Sequence, residues 1–283
     1  MNALFETLPV PTAPGPPGDD EYRDEATGLL YCKECRSPRE TDVFLFGQAT
    51  RVRCLCACRK AAIEREELGR RKKEFLDTVA RNRSVGLSDP CLRKHTFEND
   101  RGENPEQTAM ARRFVEHWQE FRERSLGLLF WGGVGSGKTF LAGCIANALL
   151  DKGVTVLMTN FIRLLNRLMD LHAGDRNAVV DDFNRYELLI LDDFGVERGS
   201  EFAQEQMFHI VDSRYRSQLP MIVTTNLTLD ELKEPQDLGR ARICDRLLER
   251  CVPIQVPAGS LRQQNKTENL NYARSLLQAA GPA

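Results

Sequence analysis

Gly132, Gly133, Gly135 and Gly137, followed at once by Lys138 and Thr139, have the residue types and spacing to bind a polyphosphate. The segment Gly132-Gly133-Val134-Gly135-Ser136-Gly137-Lys138-Thr139 fits GxxxxGK[ST] in full. It lies between Leu128 to Trp131, which reads as a short buried strand, and Phe140 to Leu150, which reads as an aliphatic helix. Such glycines let successive N–H groups turn inward around phosphates, and the helix N-terminus adds its dipole. Residues Gly132 to Phe140 are therefore expected to hold ATP. Lys138 would reach the β- and γ-phosphates, and the Thr139 hydroxyl would hold Mg²⁺.

Hydrolysis needs further groups, and the chain supplies candidates downstream. Leu188-Leu189-Ile190-Leu191 runs directly into Asp192 and Asp193, the pattern of a buried parallel strand whose C-terminal tip meets a ligand. Asp192 is expected to bind Mg²⁺, directly or through water, and Asp193 to polarise the attacking water. A third apolar stretch, Pro220 to Asn226, ends on Asn226, a candidate sensor of the γ-phosphate. Arg240 to Arg250 reads as a basic amphipathic helix with Ile243, Leu247 and Leu248 on its apolar side.

A second constellation is built from sulfur. Nine cysteines occur in the chain, and five of them crowd between Cys32 and Cys58. Cys32 and Cys35 form a CxxC, and Cys54, Cys56 and Cys58 follow at alternate positions before a helical run. Four thiolates from two such groups can enclose one Zn²⁺ tetrahedrally and let a segment too small for an apolar core hold a shape. Cys32, Cys35 and two of the last three are the expected ligands. Cys91, Cys144, Cys244 and Cys251 stand apart and read as small apolar residues.

Taken together, these motifs resemble the AAA+ ATPases of the DnaC, DnaI and IstB type, which comprise helicase loaders and transposition helpers. The resemblance spans roughly Lys94 to Lys266. It rests on His95-Thr96-Phe97-Glu98-Asn99, the glycine-rich loop, Leu191-Asp192-Asp193-Phe194-Gly195, Thr224-Thr225-Asn226-Leu227, Arg242-Ile243-Cys244-Asp245-Arg246-Leu247 and Ser260-Leu261-Arg262, in that order. It implies that Arg246 is an arginine finger entering a neighbouring subunit's site and Arg262 a sensor-2 arginine. It also favours Cys56 and Cys58 as the remaining zinc ligands, with Cys54 able to replace either. Asn160, Phe161, Arg163 and Arg167 follow the second core strand, where related initiator ATPases line a pore, although Phe161 reads more readily as a packing residue.

These sites require particular elements to position them. The fold class expected is α/β, an AAA+ parallel sheet with helices on both faces, preceded by a small zinc module. The chain divides into a flexible segment over residues 1–21, rich in proline, a Cys-rich module over 22–60, a charged helical linker over 61–94 and the ATPase domain over 95–283. Further expectations are one amphipathic helix from Gln107 to Arg122 with Met110, Phe114, Trp118 and Phe121 on one stripe, a strand at Val154 to Met158, and helices at Phe161 to Leu171 and Glu201 to Arg216. About twenty residues follow Arg262, too few for a large helical lid.

The formal net charge of −2 gives no global signature of nucleic-acid binding, so any such surface must be local. No run of eighteen apolar residues occurs, and Met1 to Asp20 lacks the pattern of a signal peptide, so a cytoplasmic protein without membrane contact is expected. The function implied by the resemblance is an ATPase that self-associates, binds a replicative hexameric helicase and assists its placement on single-stranded DNA. The alternatives are an IstB-like transposition helper and a nucleotide-dependent DNA-binding adaptor.

Overall fold

The computed structural model describes residues 16–45, 48–195, 201–235, 237–257 and 261–278. The chain forms two compact units, Met1–Leu76 and Asp77–Ala283. Most of the proline-rich lead-in and residues 196–200 lie outside the described residues.

In the first unit, β1 (Glu21–Arg23) pairs antiparallel with β2 (Leu30–Cys32), and β3 (Glu40–Leu45) pairs antiparallel with β4 (Gln48–Arg53). Two small ribbons cannot bury enough apolar surface to be stable alone. Buried carboxylates with fixed partners supply part of the cohesion. Glu21, almost fully buried, accepts from Arg39 at 3.0 Å, and buried Glu40 accepts from the Leu30 backbone N–H at 3.1 Å. Helix α1 (Ala57–Gly86) begins in this unit and ends in the second. Its start lies four residues before the expected linker helix.

The second unit is a five-stranded, wholly parallel sheet of β5 (Gly127–Trp131), β6 (Val156–Asn160), β7 (Leu188–Phe194), β8 (Met221–Thr225) and β9 (Cys251–Gln255), in the order β6-β7-β8-β5-β9. The glycine-rich loop therefore leaves an inner strand. Alternation along the strands sends side chains to two cores, as a parallel sheet covered on both faces requires. Leu128, Phe130, Ile190 and Ile222 pack with α2 (Pro105–Glu116) and α4 (Lys138–Asp151). Leu129, Leu189, Leu191 and Val223 pack with α5 (Phe161–Met169), α6 (Ala173–Phe183), α7 (Glu201–Arg216) and α9 (Leu238–Arg250). Helix α8 (Leu229–Lys233) opens with a capping box between Thr228 and Glu231, and α10 (Leu261–Gln278) is the single helix after β9 among the described residues.

Several expectations are corrected. The stretch from Gln107 to Arg122 is two helices, α2 and α3 (Trp118–Glu123), broken at His117. Its buried stripe runs through Ala111, Phe114, Val115 and Trp118, while Met110 is exposed. Strand β9 was not anticipated, because Cys251-Val252-Pro253-Ile254-Gln255 has neither a long apolar run nor strict alternation. Pro253 is tolerated because β9 is an edge strand. Cys144, Cys244 and Cys251 are buried as expected, but Cys91 is exposed. Fully buried Arg214 has no sequence signature: it donates to the carbonyls of Phe183, Tyr186, Glu187 and Pro220, tying together the segments that lead into β7 and β8.

Candidate nucleotide site and cysteine cluster

Strand β5 delivers the glycine-rich loop into the N-terminus of α4. Gly137 enters that helix at φ 100°, a conformation natural to glycine alone. At Gly132 (φ 144°) a Cβ would stand 2.2 Å from the Val256 carbonyl oxygen, so the loop lies directly on the backbone after β9. The result is a cavity of about 560 Å³ whose wall includes Val134 to Leu141, Asp192, Asp193 and Asn226.

The site residues meet at the C-terminal ends of the strands. Lys138 Nζ donates to the Gly132 and Gly133 carbonyls at 2.9 and 2.8 Å, and to Asn226 Oδ1 at 2.9 Å. Thr139 Oγ1 donates to Asp192 Oδ1 at 2.9 Å. Burial, only partly opposed by hydrogen bonds from Thr224 and Thr139, raises the Asp192 carboxyl above its ordinary pKa. A neutral hydroxyl beside a carboxylate is the hard-oxygen pair that suits Mg²⁺.

Asp193 is set apart from Asp192 by the backbone. The β7–β8 register shifts between Leu191 and Phe194, and Asp193 sits at φ 60°, so a bulge re-aims the acidic pair at the strand's end. Thr224 stabilises it: its hydroxyl accepts from the Asp193 N–H at 3.0 Å and donates to Asp192 Oδ1 at 2.6 Å. The motif Thr224-Thr225-Asn226-Leu227 contains Thr224 without marking this role. The available signal was a hydroxyl residue near the end of an apolar strand beside the acidic one.

The other wall of the cavity comes from the segment before α2 and its first turns, including His95, Asn99, Asp100, Arg101, Asn104 and Thr108. Asn104 Nδ2 donates to the Ser136 carbonyl at 3.0 Å, anchoring this segment to the loop. Burial holds the His95 imidazole below its ordinary pKa. None of these residues was singled out as a ligand-binding candidate, because their spacing fits no phosphate motif.

With this geometry in view, the comparisons with known proteins decide the family. The family described as IstB-like ATP binding protein matches residues 62–269. This chain belongs to that family. The replicative helicase loader DnaC of Escherichia coli K12 is 28% identical over 194 residues, 68% of this chain and 75% of that protein. The replicative helicase loader DnaI of Bacillus subtilis is 27% identical over 183 residues, 59% of this chain and 58% of that protein. A crystal structure of DnaI superposes with a TM-score of 0.51 at 26% identity, covering 61% of this chain and 93% of that one.

The match of this IstB-like chain begins at residue 62, beyond the clustered cysteines. Cys32, Cys35, Cys56 and Cys58 bring their sulfurs within 4.8 Å of one another. A tetrahedral zinc with Zn–S of about 2.3 Å spaces its sulfurs about 3.8 Å apart, so the four thiols fit one ion. Cys54 points elsewhere, its thiol 3.4 Å from the Pro38 carbonyl. Ser37 links the two halves: its hydroxyl accepts from the Ala57 N–H at 2.8 Å and lies 3.1 Å from Cys35 Sγ. Hydrogen bonding from Ser37, then from backbone amides, holds the Cys35 thiol down at about 5.

One other candidate of this IstB-like chain lies apart from the nucleotide cavity. Arg246 lines a separate cavity of about 390 Å³ with Phe208, Tyr215, Arg242, Asp245 and Glu249. The side chain of Arg262, near the start of α10, lies outside the described residues. In the pore-candidate segment, Phe161 is fully buried with its ring 5.6 Å from that of Phe194, so it packs the core and cannot stack on a base. Asn160 caps α5 by accepting from the Arg163 N–H at 2.8 Å. Among the described residues, no helix is long and apolar enough to cross a membrane.

Proposed function

We propose that this protein is an ATPase that loads a replicative hexameric helicase onto single-stranded DNA. The observation that carries the ATPase reading is the meeting of Lys138, Asn226, Thr139 and Asp192 at one edge of the sheet, inside one cavity. The loader reading is supported by the names of its relatives DnaC and DnaI.

In the proposed cycle, the loop N–H groups and Lys138 bind the phosphates of ATP. Lys138 exchanges its loop carbonyls for the phosphate oxygens, and Asn226 contacts the γ-phosphate. Thr139 and Asp192 would hold Mg²⁺, which would supply charge neutralisation at the phosphates. Asp193 orients a water that attacks the γ-phosphorus, the bond to the β-phosphate oxygen breaks, and ADP and phosphate leave. Arg246 from a neighbouring copy stabilises the charge on the transferring group, so turnover rises with assembly. The Cys32, Cys35, Cys56 and Cys58 set holds one zinc and shapes the first unit as the helicase-contacting part.

Capture on an immobilised hexameric replicative helicase, with and without ATP, tests this reading. Retention that depends on residues 1–75 is the expected result. Failure to bind the helicase, with capture of a transposase instead, would replace it by the transposition-helper reading. Binding to DNA without helicase capture or ATP turnover would replace it by the adaptor reading.

A further inference from the structure

Arg246 is held in its own chain by a cradle from α7. Its Nη2 lies 2.6 Å from Asp212 Oδ1, and its guanidinium stacks over the Phe208 ring at 4.6 Å and near Tyr215 at 5.6 Å. Glu249, three residues further along α9, accepts from the Tyr215 hydroxyl at 3.0 and 2.9 Å. Asp212 is almost fully buried, and its second oxygen lies 2.8 Å from exposed Arg216. Burying a carboxylate is costly unless it is paired, so this position is built around the guanidinium. The Arg246 side chain remains 23% exposed and borders the 390 Å³ cavity.

We infer that Asp212 is a positioning residue for Arg246, holding its guanidinium over Phe208 in the orientation it presents to an adjoining subunit. A flexible arginine delivered across an interface acts only if its fork is aimed before the phosphate arrives, and a carboxylate on one edge with an aromatic ring beneath supplies that aim. Asp212 therefore belongs to the finger side of the shared site and takes no part in nucleotide binding by its own chain. This inference rests on the reading of Arg246 as a finger in trans.

Mixing of full-length variants separates the two. Asp212→Asn is expected to bind ATP with wild-type affinity and to lose about 10- to 100-fold in assembly-stimulated kcat. Mixed with Lys138→Ala it regains activity, because some interfaces join its intact phosphate loop to an intact Asp212–Arg246 pair. Mixed with Arg246→Ala it regains nothing, because every interface lacks a competent finger. Recovery in the second mixture, wild-type or faster turnover of Asp212→Asn alone, or weakened ATP binding overturns the inference while leaving the finger reading standing. Full activity of Arg246→Ala, or no recovery when it is mixed with Lys138→Ala, overturns the finger reading and this inference with it. Should Asp212→Asn fail to fold, Asp212→Glu, which keeps the charge but displaces it by one methylene, is read in the same mixtures.

Discussion

Lys138 Nζ donates to Asn226 Oδ1 at 2.9 Å, joining the end of the phosphate loop to the tip of β8 across 88 positions of sequence. The contact arises because β5 and β8 are paired neighbours, with Trp131 opposite Thr225, so both strands release their polar tips at the same level. Lys138→Ala is expected to weaken ATP binding by about tenfold or more, the loss of a charge-assisted contact worth about 1.5–3 kcal/mol. Asn226→Ala is expected to spare binding and lower kcat. Nucleotide anisotropy and phosphate release, measured on both variants, check the pair. Equal ATP affinity for wild type and Lys138→Ala would rule out the phosphate-loop role.

The Thr224 hydroxyl serves Asp193 N–H and Asp192 Oδ1 together. Thr224→Val keeps the shape but strands both partners, so a stability loss of about 1–3 kcal/mol is expected, with lower turnover. Thr224→Ser should retain most of both. Denaturant titration reads the first effect, and Asp193→Asn is the comparison for turnover, expected to bind ATP but not hydrolyse it.

Zinc analysis should find about one ion per chain, lost on Cys56→Ala or Cys58→Ala and retained on Cys54→Ala. Arg39 reaches Cys32 Sγ at 3.8 Å while pairing with Asp20 and Glu21, and so sets one positive charge beside the cysteine cluster. Arg39→Met is expected to weaken zinc binding about 10- to 100-fold in chelator competition. Zinc loss from Cys54→Ala, with retention in Cys56→Ala, would reassign the ligands.

Burial pushes the Cys251 thiol up to about 12. Its folded pKa lies above the unfolded one, so the folded state holds the proton longer. The stability from this group is complete below about pH 8.5 and is lost as pH rises towards the folded value. A decline of roughly 1–2 kcal/mol by about pH 10 is expected from this thiol. Cys251→Ala should lower stability at neutral pH but flatten the alkaline slope, read by denaturant unfolding under reducing conditions. An unchanged slope would discard the assignment.

Contiguous chemistry determined much of this protein in the sequence alone. Gly132 to Thr139 and Leu188 to Asp193 announce themselves because a tight phosphate turn and a buried strand ending in acids each need their residues in one short run. The parallel α/β sheet followed from such apolar runs alternating with helical ones. The tertiary structure decided what depends on distant residues. It brought the sulfurs of Cys56 and Cys58, and not that of Cys54, together with those of Cys32 and Cys35, which spacing alone cannot specify. The pairing of Arg246 with Asp212 was likewise invisible, since α7 and α9 meet only when the sheet is assembled. Arg214 is the clearest case: its partners are backbone carbonyls, which every residue carries, so no side-chain pattern could mark them.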